Sequence, residues 1–437
     1  MQRRTIVSLA AAAAVTALVT GCSSSSSSQS GGSDWKIPDK DPKATIQVLG
    51  HQAEDSGILD VIAAFEKAHP SIKVDYEGVP FDQLNTILDA RIGNKDGNPD
   101  VYWADQPRIP ALSSRGFTEP LTAPFAEAVA PLDKTTVESS SFDGELWAVP
   151  IANSTQLLYY NKTLLEKAGL PFPDADPKKR MTWEELAADA RKAVDAGAKY
   201  GILFGQPNRY YQLEPLAVSL GGSVGAGGEG NLTPEIADKG WKQAMTWYGS
   251  IFADGLSPQG LNGEQTSNEF LAGNVAYFVQ GNWLVPALSE GTMEWGVAAH
   301  PAFDGGEDVT PTGSWSLAMS PFSDEKEAAA IFMKWMSIDG GGGYAVNLPA
   351  PELPVSAEGK KLYFERDIFS SPSGKDAAAI IDYETQNTAV PRVQTVGYVE
   401  FEEIIGRAYS DIANGADPQT ALDSASKELD TAWSKYR

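Results

Sequence analysis

Hydrophobic residues fall into three regimes along this sequence. Ile6 to Val19 form one apolar run, behind the basic Met1-Gln2-Arg3-Arg4 and ahead of Thr20-Gly21-Cys22. A basic flank, a short apolar core and small residues before a cut are the layout of an export signal. The run is too short for a helix that must cross about 30 Å of hydrocarbon. Residues 23–43 are rich in Ser, Gly, Asp, Pro and Lys and lack apolar periodicity, which reads as a flexible leash. From Ala44 onward the apolar positions become periodic.

Ala44 to Gly50 alternates and is β-branched, predicting a strand. Ile58, Val61, Ile62 and Phe65 recur at helical spacing over 57–69, closed by Pro70. A strand over 72–76, a helix over 81–92 and a strand over 99–103 follow. That alternation predicts right-handed crossovers and a largely parallel sheet. Residues 141–150 predict two strands meeting at Asp143-Gly144, and 157–161 a strand running into a helix over 162–168. Thr182-Trp183-Glu184-Glu185 is a capping box for a helix to about Ala196. Further strands are expected at 200–204, 276–279, 295–298 and 316–320, and helices at 211–220, 234–253, 266–272 and 324–337. The tail from about Ser373 reads as mostly helical. No tandem repeat is evident, and the length suggests two or three domains.

Charge and composition remove whole classes of function. The net charge of −24 and pI of about 4.5 argue against nucleic acid or an anionic membrane surface as partner. Cys22 is the only cysteine, so no intramolecular disulfide can support the fold. The three His, at 51, 69 and 300, are too scattered for a His-rich zinc site or a His-based nucleophile triad. Gly225-Ala226-Gly227-Gly228-Glu229-Gly230 has dinucleotide-fingerprint spacing but lacks the strand-to-helix context that gives it meaning. Neither a metal nor a cofactor is expected.

Trp103 and Asp105 stand just past the end of a strand expected to be parallel, where ligands of open α/β sheets gather. Asp105 could accept a hydroxyl or serve as a loop carboxylate, with Arg108 as a possible partner. His51, Gln52 and Glu54 occupy the same place after the first strand, His51 with a turn cap as its alternative. Tyr210 and Tyr211 open a helix, one expected at a ligand and the other in packing.

Longer stretches carry a family resemblance. Leu18-Val19-Thr20-Gly21-Cys22 resembles the bacterial lipobox, and the serine tract Ser23 to Ser28 a lipoprotein tether. Pro150 to Lys167, centred on Tyr159-Tyr160-Asn161-Lys162, resembles the signature of the family 1 extracellular solute-binding proteins, sugar-binding lipoproteins of ABC importers; Leu157 stands where that pattern has a small residue. Phe65 to Val74, Pro99 to Asp105, Gly273 to Trp283 and Thr312 to Ser320 resemble further segments of the family in order and spacing.

The resemblance implies an α/β, two-lobed periplasmic-binding-protein-like fold. Each lobe is a mainly parallel sheet flanked by helices, with the ligand cleft between the lobes. The expected division is 1–21 as signal peptide, 22–43 as lipid anchor and linker, 44–149 plus 318–350 as one lobe, and 153–312 plus 351–437 as the other. Crossings are expected near 147–153, 312–320 and 348–354. It also implies Trp283 and Trp315 as stackers on sugar rings, with ordinary core packing as the alternative for each; Asn153 on the crossing strand and Tyr398 after Gly397 are further candidates by position. Arg392 is expected either against an acid group of the ligand or in a structural ion pair. The expected function is capture of a mono- or oligosaccharide by lobe closure and delivery to an ABC permease. The monomer would act on the extracellular face of the cytoplasmic membrane, touching it only through acylated Cys22. The rivals are a glycoside hydrolase, which needs two carboxyl groups about 5 Å or about 6.5–9.5 Å apart, and a binder of charged solutes on the same fold.

Overall fold

The computed structural model describes residues 35–51, 57–313, 315–349 and 352–437. Cys22 and the expected signal segment lie outside these residues, as do Gln52 and Glu54. The fold is mixed α/β with two lobes, each built on its own sheet.

The first sheet starts from the alternating strand Ala44–His51. This strand pairs in parallel with Ile72–Val79 along its whole length, and with Val101–Asp105 through Val48 and Leu49. Between the first two strands, helix Ile58–Ala68 turns Ile58, Val61, Ile62 and Phe65 inward, one face at 3.6 periodicity. The sheet is completed by late-arriving Trp315–Met319, antiparallel to Val101–Asp105 with Trp315 opposite Asp105, and by Val149–Pro150 at its edge. Its core draws on residues between Ala44 and Ala152 and between Leu317 and Val355.

The second sheet has the order Trp295–Ala298, Gln156–Asn161, Val275–Gly281, Tyr200–Phe204. Its last two strands are parallel, whereas Gln156–Asn161 runs antiparallel to both of its neighbours. Every residue of Gln156–Asn161 is buried because both faces are covered. Leu158 and Tyr160 enter one core with Trp183, Trp241 and Phe401, while Leu157 and Tyr159 enter another with Phe278, Tyr363 and Ile380.

Helix starts follow their capping chemistry. Thr182 and Glu185 form the expected reciprocal box. The helix expected from 234 begins at Lys239 instead, where the Asp238 side chain accepts from Trp241 N; Thr233–Pro234 pairs antiparallel with Ala226–Gly227. Asp is a good N-cap, and Pro234 can donate no ladder hydrogen bond. The helix expected at 266 begins at Gly263, under an Asn262–Gln265 box. No helix among the described residues is long and apolar enough to cross a membrane.

Three segments pass between the lobes and are tied to one another. The Ile151 N–H donates to Trp315 O at 3.1 Å, and the Asn153 N–H to Leu353 O at 2.7 Å. Thr155 bridges Thr312, whose hydroxyl donates to Asn153 Oδ1 and to Ser154 O, both at 3.0 Å. Gly313 sits between them at φ 113°, where an L side chain is strained and a Cβ would come within 3.2 Å of Gln106 Oε1.

The last helix, Pro418–Trp433, closes the second lobe by burying Trp433, whose indole stacks on Phe401 at 6.0 Å and donates to Gly397 O at 2.9 Å. Trp433→Ala should lower the unfolding free energy by about 3–5 kcal/mol. A denaturant midpoint within error of the parent would contradict that role.

Candidate functional site

The second lobe contributes a rigid aromatic pair. Trp283 belongs to the single turn Asn282–Leu284, immediately after strand Val275–Gly281. Buried Asn282 fixes this turn: its Oδ1 accepts from Thr155 N at 3.1 Å and its Nδ2 donates to Tyr363 OH at 3.4 Å. The Trp283 ring lies across Gly281, where a Cβ would fall 2.0 Å from it, so only glycine permits this placement. Half-buried Trp283 lies 6.3 Å from the Tyr211 ring, tilted by 32°.

Tyr211 is held from three sides. Its helix, Tyr210–Ser219, is anchored to the sheet by Gln212, whose Nε2 donates to Gln156 Oε1 and Val279 O. Its hydroxyl shares a 2.8 Å hydrogen bond with Ser154 Oγ on the crossing segment, and Ser154 Oγ donates to Gly313 O. Burial pushes the Tyr211 hydroxyl up to about 12 against the opposing pull of Ser154 and Arg392, so it stays a donor at neutral pH. The Arg392 guanidinium sits over the Tyr211 ring at 5.0 Å, a cation–π arrangement.

Arg392 in turn grips Asp105 with two hydrogen bonds, Nη1 to Oδ2 at 2.9 Å and Nη2 to Oδ1 at 2.5 Å. The two side chains are only 8% and 7% exposed. Burial works against the Arg392 charge, but the surrounding groups together, Asp105 first and Glu402 with it, outweigh burial and hold the guanidinium protonated. Beside them, Trp315 meets the edge of His51 at 4.1 Å and 76°. Burial lowers His51 to about 4, with Asp105 pulling it back up, so the imidazole is neutral.

The structure therefore brings Asp105, Arg392, Tyr211 and Trp283 into one chain of contacts, flanked by Trp315 and His51. It separates others from that group. Trp103 is 1% exposed, wedged over Gly50 and edge-packed on Tyr76 and Tyr344 in the first core. Tyr210 is a packing residue: it meets Phe401 edge-on at 4.8 Å, and its hydroxyl donates to Val224 O and accepts from Val393 N. Tyr398 is fully buried with its ring packed against Tyr210 and Phe401, while its hydroxyl stays within electrostatic reach of Arg392 and Asp105. Local sequence does not distinguish a ring at a strand or helix end from one turned into the core, as at Trp103 and Tyr398, while Tyr210 takes the packing place expected for one of the two tyrosines.

Arg392 takes the ion-pair alternative, and it, rather than Arg108, is the partner of Asp105. Arg108 ends the turn after Asp105 and reaches Glu402 instead. Asn153 spends its side chain on Thr312 and its neighbouring backbone. Both Asn153 and Arg392 line a groove of about 940 Å³, together with Gln106, Thr135, Ser139 and Gln394. Ser154 and Asn282, which position the aromatic pair, carry no signal in sequence beyond lying inside the segments that resemble the family.

Glu352 stands on the third crossing segment, accepting from the Tyr344 hydroxyl of the first lobe at 3.1 Å. Burial raises its carboxyl to about 7 despite that hydrogen bond.

Two α/β lobes, three bridged crossing segments and a polar-aromatic group between the lobes define the class of two-lobed solute-binding proteins. Residues 50–342 match the family described as bacterial extracellular solute-binding protein, and the chain belongs to it. It is 26% identical over 385 residues to the galactooligosaccharide-binding protein of Bacillus subtilis (strain 168), covering 86% of each chain. It is 25% identical over 368 residues to the maltodextrin-binding protein of the same organism, covering 82% of this chain and 83% of that one. Among solved structures, an ABC substrate-binding protein of Listeria monocytogenes in complex with cycloalternan superposes with a TM-score of 0.78 at 22% identity, covering 89% of this chain and 99% of that one.

The Glu352 environment sets a sign for pH. Its folded carboxyl binds a proton more tightly than an unfolded one, so its stabilising effect is complete below about pH 4 and is lost as pH rises through 7. Unfolding free energy should fall by up to about 2 kcal/mol between pH 5 and pH 8 through this group, and Glu352→Gln should flatten that slope. An identical slope in the variant would contradict the assignment.

Proposed function

We propose that this protein captures a neutral mono- or oligosaccharide between its lobes and delivers it to an ABC-type permease. The observation that carries the reading is the contact chain Trp283, Tyr211, Arg392 and Asp105, which juxtaposes flat aromatic surface with a planar, oriented carboxylate. Aromatic faces suit the C–H faces of sugar rings, and a carboxylate with lone pairs still free suits hydroxyls in fixed geometry. The ligands that these relatives are named with, galactooligosaccharide, maltodextrin and cycloalternan, are of the same chemistry.

In this reading Trp283 stacks on the sugar, Asp105 accepts a hydroxyl, and Tyr211 supports both from below. Trp315 supplies a second aromatic edge from the first lobe, while Gln52 and Glu54 are assigned as hydroxyl partners by their place after the first strand. Arg392 holds Asp105 in place and does not meet an acid group of the ligand. The lobes are assigned as 44–149 plus 318–350 and 153–312 plus 351–437. Acylation of Cys22 tethers the monomer to the extracellular face of the membrane, after removal of 1–21 and through a leash to residue 43. The chain acts as a receptor and not as a hydrolase.

A thermal-shift panel of neutral mono- and oligosaccharides, amino acids and polyamines tests the solute class. A sugar at a hundred times its dissociation constant should stabilise the fold by about 2.7 kcal/mol. A response confined to charged solutes would overturn the sugar assignment, and release of reducing sugar from the bound ligand would overturn the receptor assignment. With the responding sugar, Trp283→Ala should weaken binding by about 1–3 kcal/mol while leaving the melting curve intact. Unchanged affinity in calorimetry would remove Trp283 from the site.

A further inference from the structure

A second ion pair joins the same two lobes. Arg108 and Glu402 are paired with side chains only 11% and 14% exposed, and Arg209 lies 3.8 Å from the same carboxylate. Arg108 leads into helix Ile109–Ser114, whose Ile109 and Leu112 are buried in the first core. Glu402 rides on helix Tyr398–Ala413, whose Phe401, Ile404 and Ile405 are buried in the second. Asp105 and Arg392 repeat the arrangement with the signs exchanged. The first lobe thus presents an acid and a base three residues apart, and the second presents their complements. The four charges act together: Glu402 adds to Asp105 in supporting the Arg392 charge, and all four bear on the Tyr398 hydroxyl.

Opening the lobes would hydrate all four groups. Desolvation offsets most of the Coulomb gain of a buried pair, so the net effect of crossed pairs on closure is small, as a reversible closure requires. Their sign pattern still selects one register, because sliding one lobe past the other would bring like charges together.

We propose that Asp105–Arg392 and Arg108–Glu402 form a closure latch, in which Arg108 and Glu402 are positioning residues that set the closed fraction without touching ligand. The latch makes affinity for an uncharged solute depend on ionic strength. It rests on the two-lobed solute-binding reading but not on the identity of the sugar.

The test needs no sugar. In the full chain carrying Cys22→Ser, spin labels at Glu127→Cys and Glu264→Cys, both exposed and one on a helix of each lobe, report the lobe separation by pulsed electron resonance. Sodium chloride is the only probe. Raising it from about 0.05 to about 0.5 M, which shortens the screening length severalfold, should lower the ratio of short to long separations about fivefold, the equivalent of about 1 kcal/mol. Arg108→Met with Glu402→Gln should show the lower ratio already at low salt, with at least half of the salt response gone. Glu402→Gln alone, nearly isosteric, should move in the same direction, and its melting curve checks that it folds. A variant whose distances match the parent at both salt concentrations would overturn the latch. Because no sugar enters, that failure would leave the sugar assignment standing, and a silent sugar panel would leave this measurement intact.

Discussion

Asp105 and Arg392 bury a carboxylate and a guanidinium where two separate hydrophobic cores meet, and the surrounding geometry follows from satisfying both charges. A buried charge without a partner is strongly destabilising, so each side chain holds the other in place. Asp105 ends a central strand of the first sheet, opposite Trp315. Arg392 follows Ala389–Pro391, which pairs with the crossing strand Thr310–Thr312. The pair therefore ties a strand end in one lobe to a crossing segment beside the other. The guanidinium over Tyr211 extends the constraint to the helix that carries that ring, and Tyr211 extends it to Ser154 and Trp283.

This chain of dependence explains why a binding surface can be stiff without a rigid body spanning it. Trp283 is set by Gly281 beneath it and by Asn282 beside it, and Tyr211 by Gln212 and Ser154. Each is fixed by polar groups of its own lobe or of the crossing segments. The contacts that run directly between the lobes include the charged pairs Asp105 with Arg392 and Arg108 with Glu402, and the hydrogen bond from Gln394 Nε2 to Ser139 O. A sugar arriving between them would meet preoriented groups on both sides and need order little of the protein. The proposed receptor role follows from that division of labour.

Much of the fold was legible because period and capping are local. Ala44 to Gly50, the helix after it and the capping box at Thr182 announced themselves within a few residues. The antiparallel insertion of Trp315–Met319 beside Val101–Asp105 could not be read locally, since its partner lies far away in sequence. The site was legible in part. Asp105, Tyr211 and Trp283 are legible as candidates and do lie together, while Trp103 and Tyr398 read as candidates by position and have their rings in the core, and Tyr210 is the packing member of its tyrosine pair. Sequence places a residue at an element's end; which way its ring turns depends on neighbours such as Gly50 and Phe401 that only the tertiary fold supplies. The partner exchange at Arg108 has the same origin, because nearness in sequence suggested Asp105 while the fold supplied Glu402.

The most direct measurement is a crystal structure of the protein with a bound neutral oligosaccharide. One sugar ring should lie against the Trp283 face, with a hydroxyl on an Asp105 oxygen while Arg392 keeps its grip on that carboxylate. Density for the sugar in the groove beside Asn153 and Gln394, with Trp283 and Asp105 untouched, would contradict that placement.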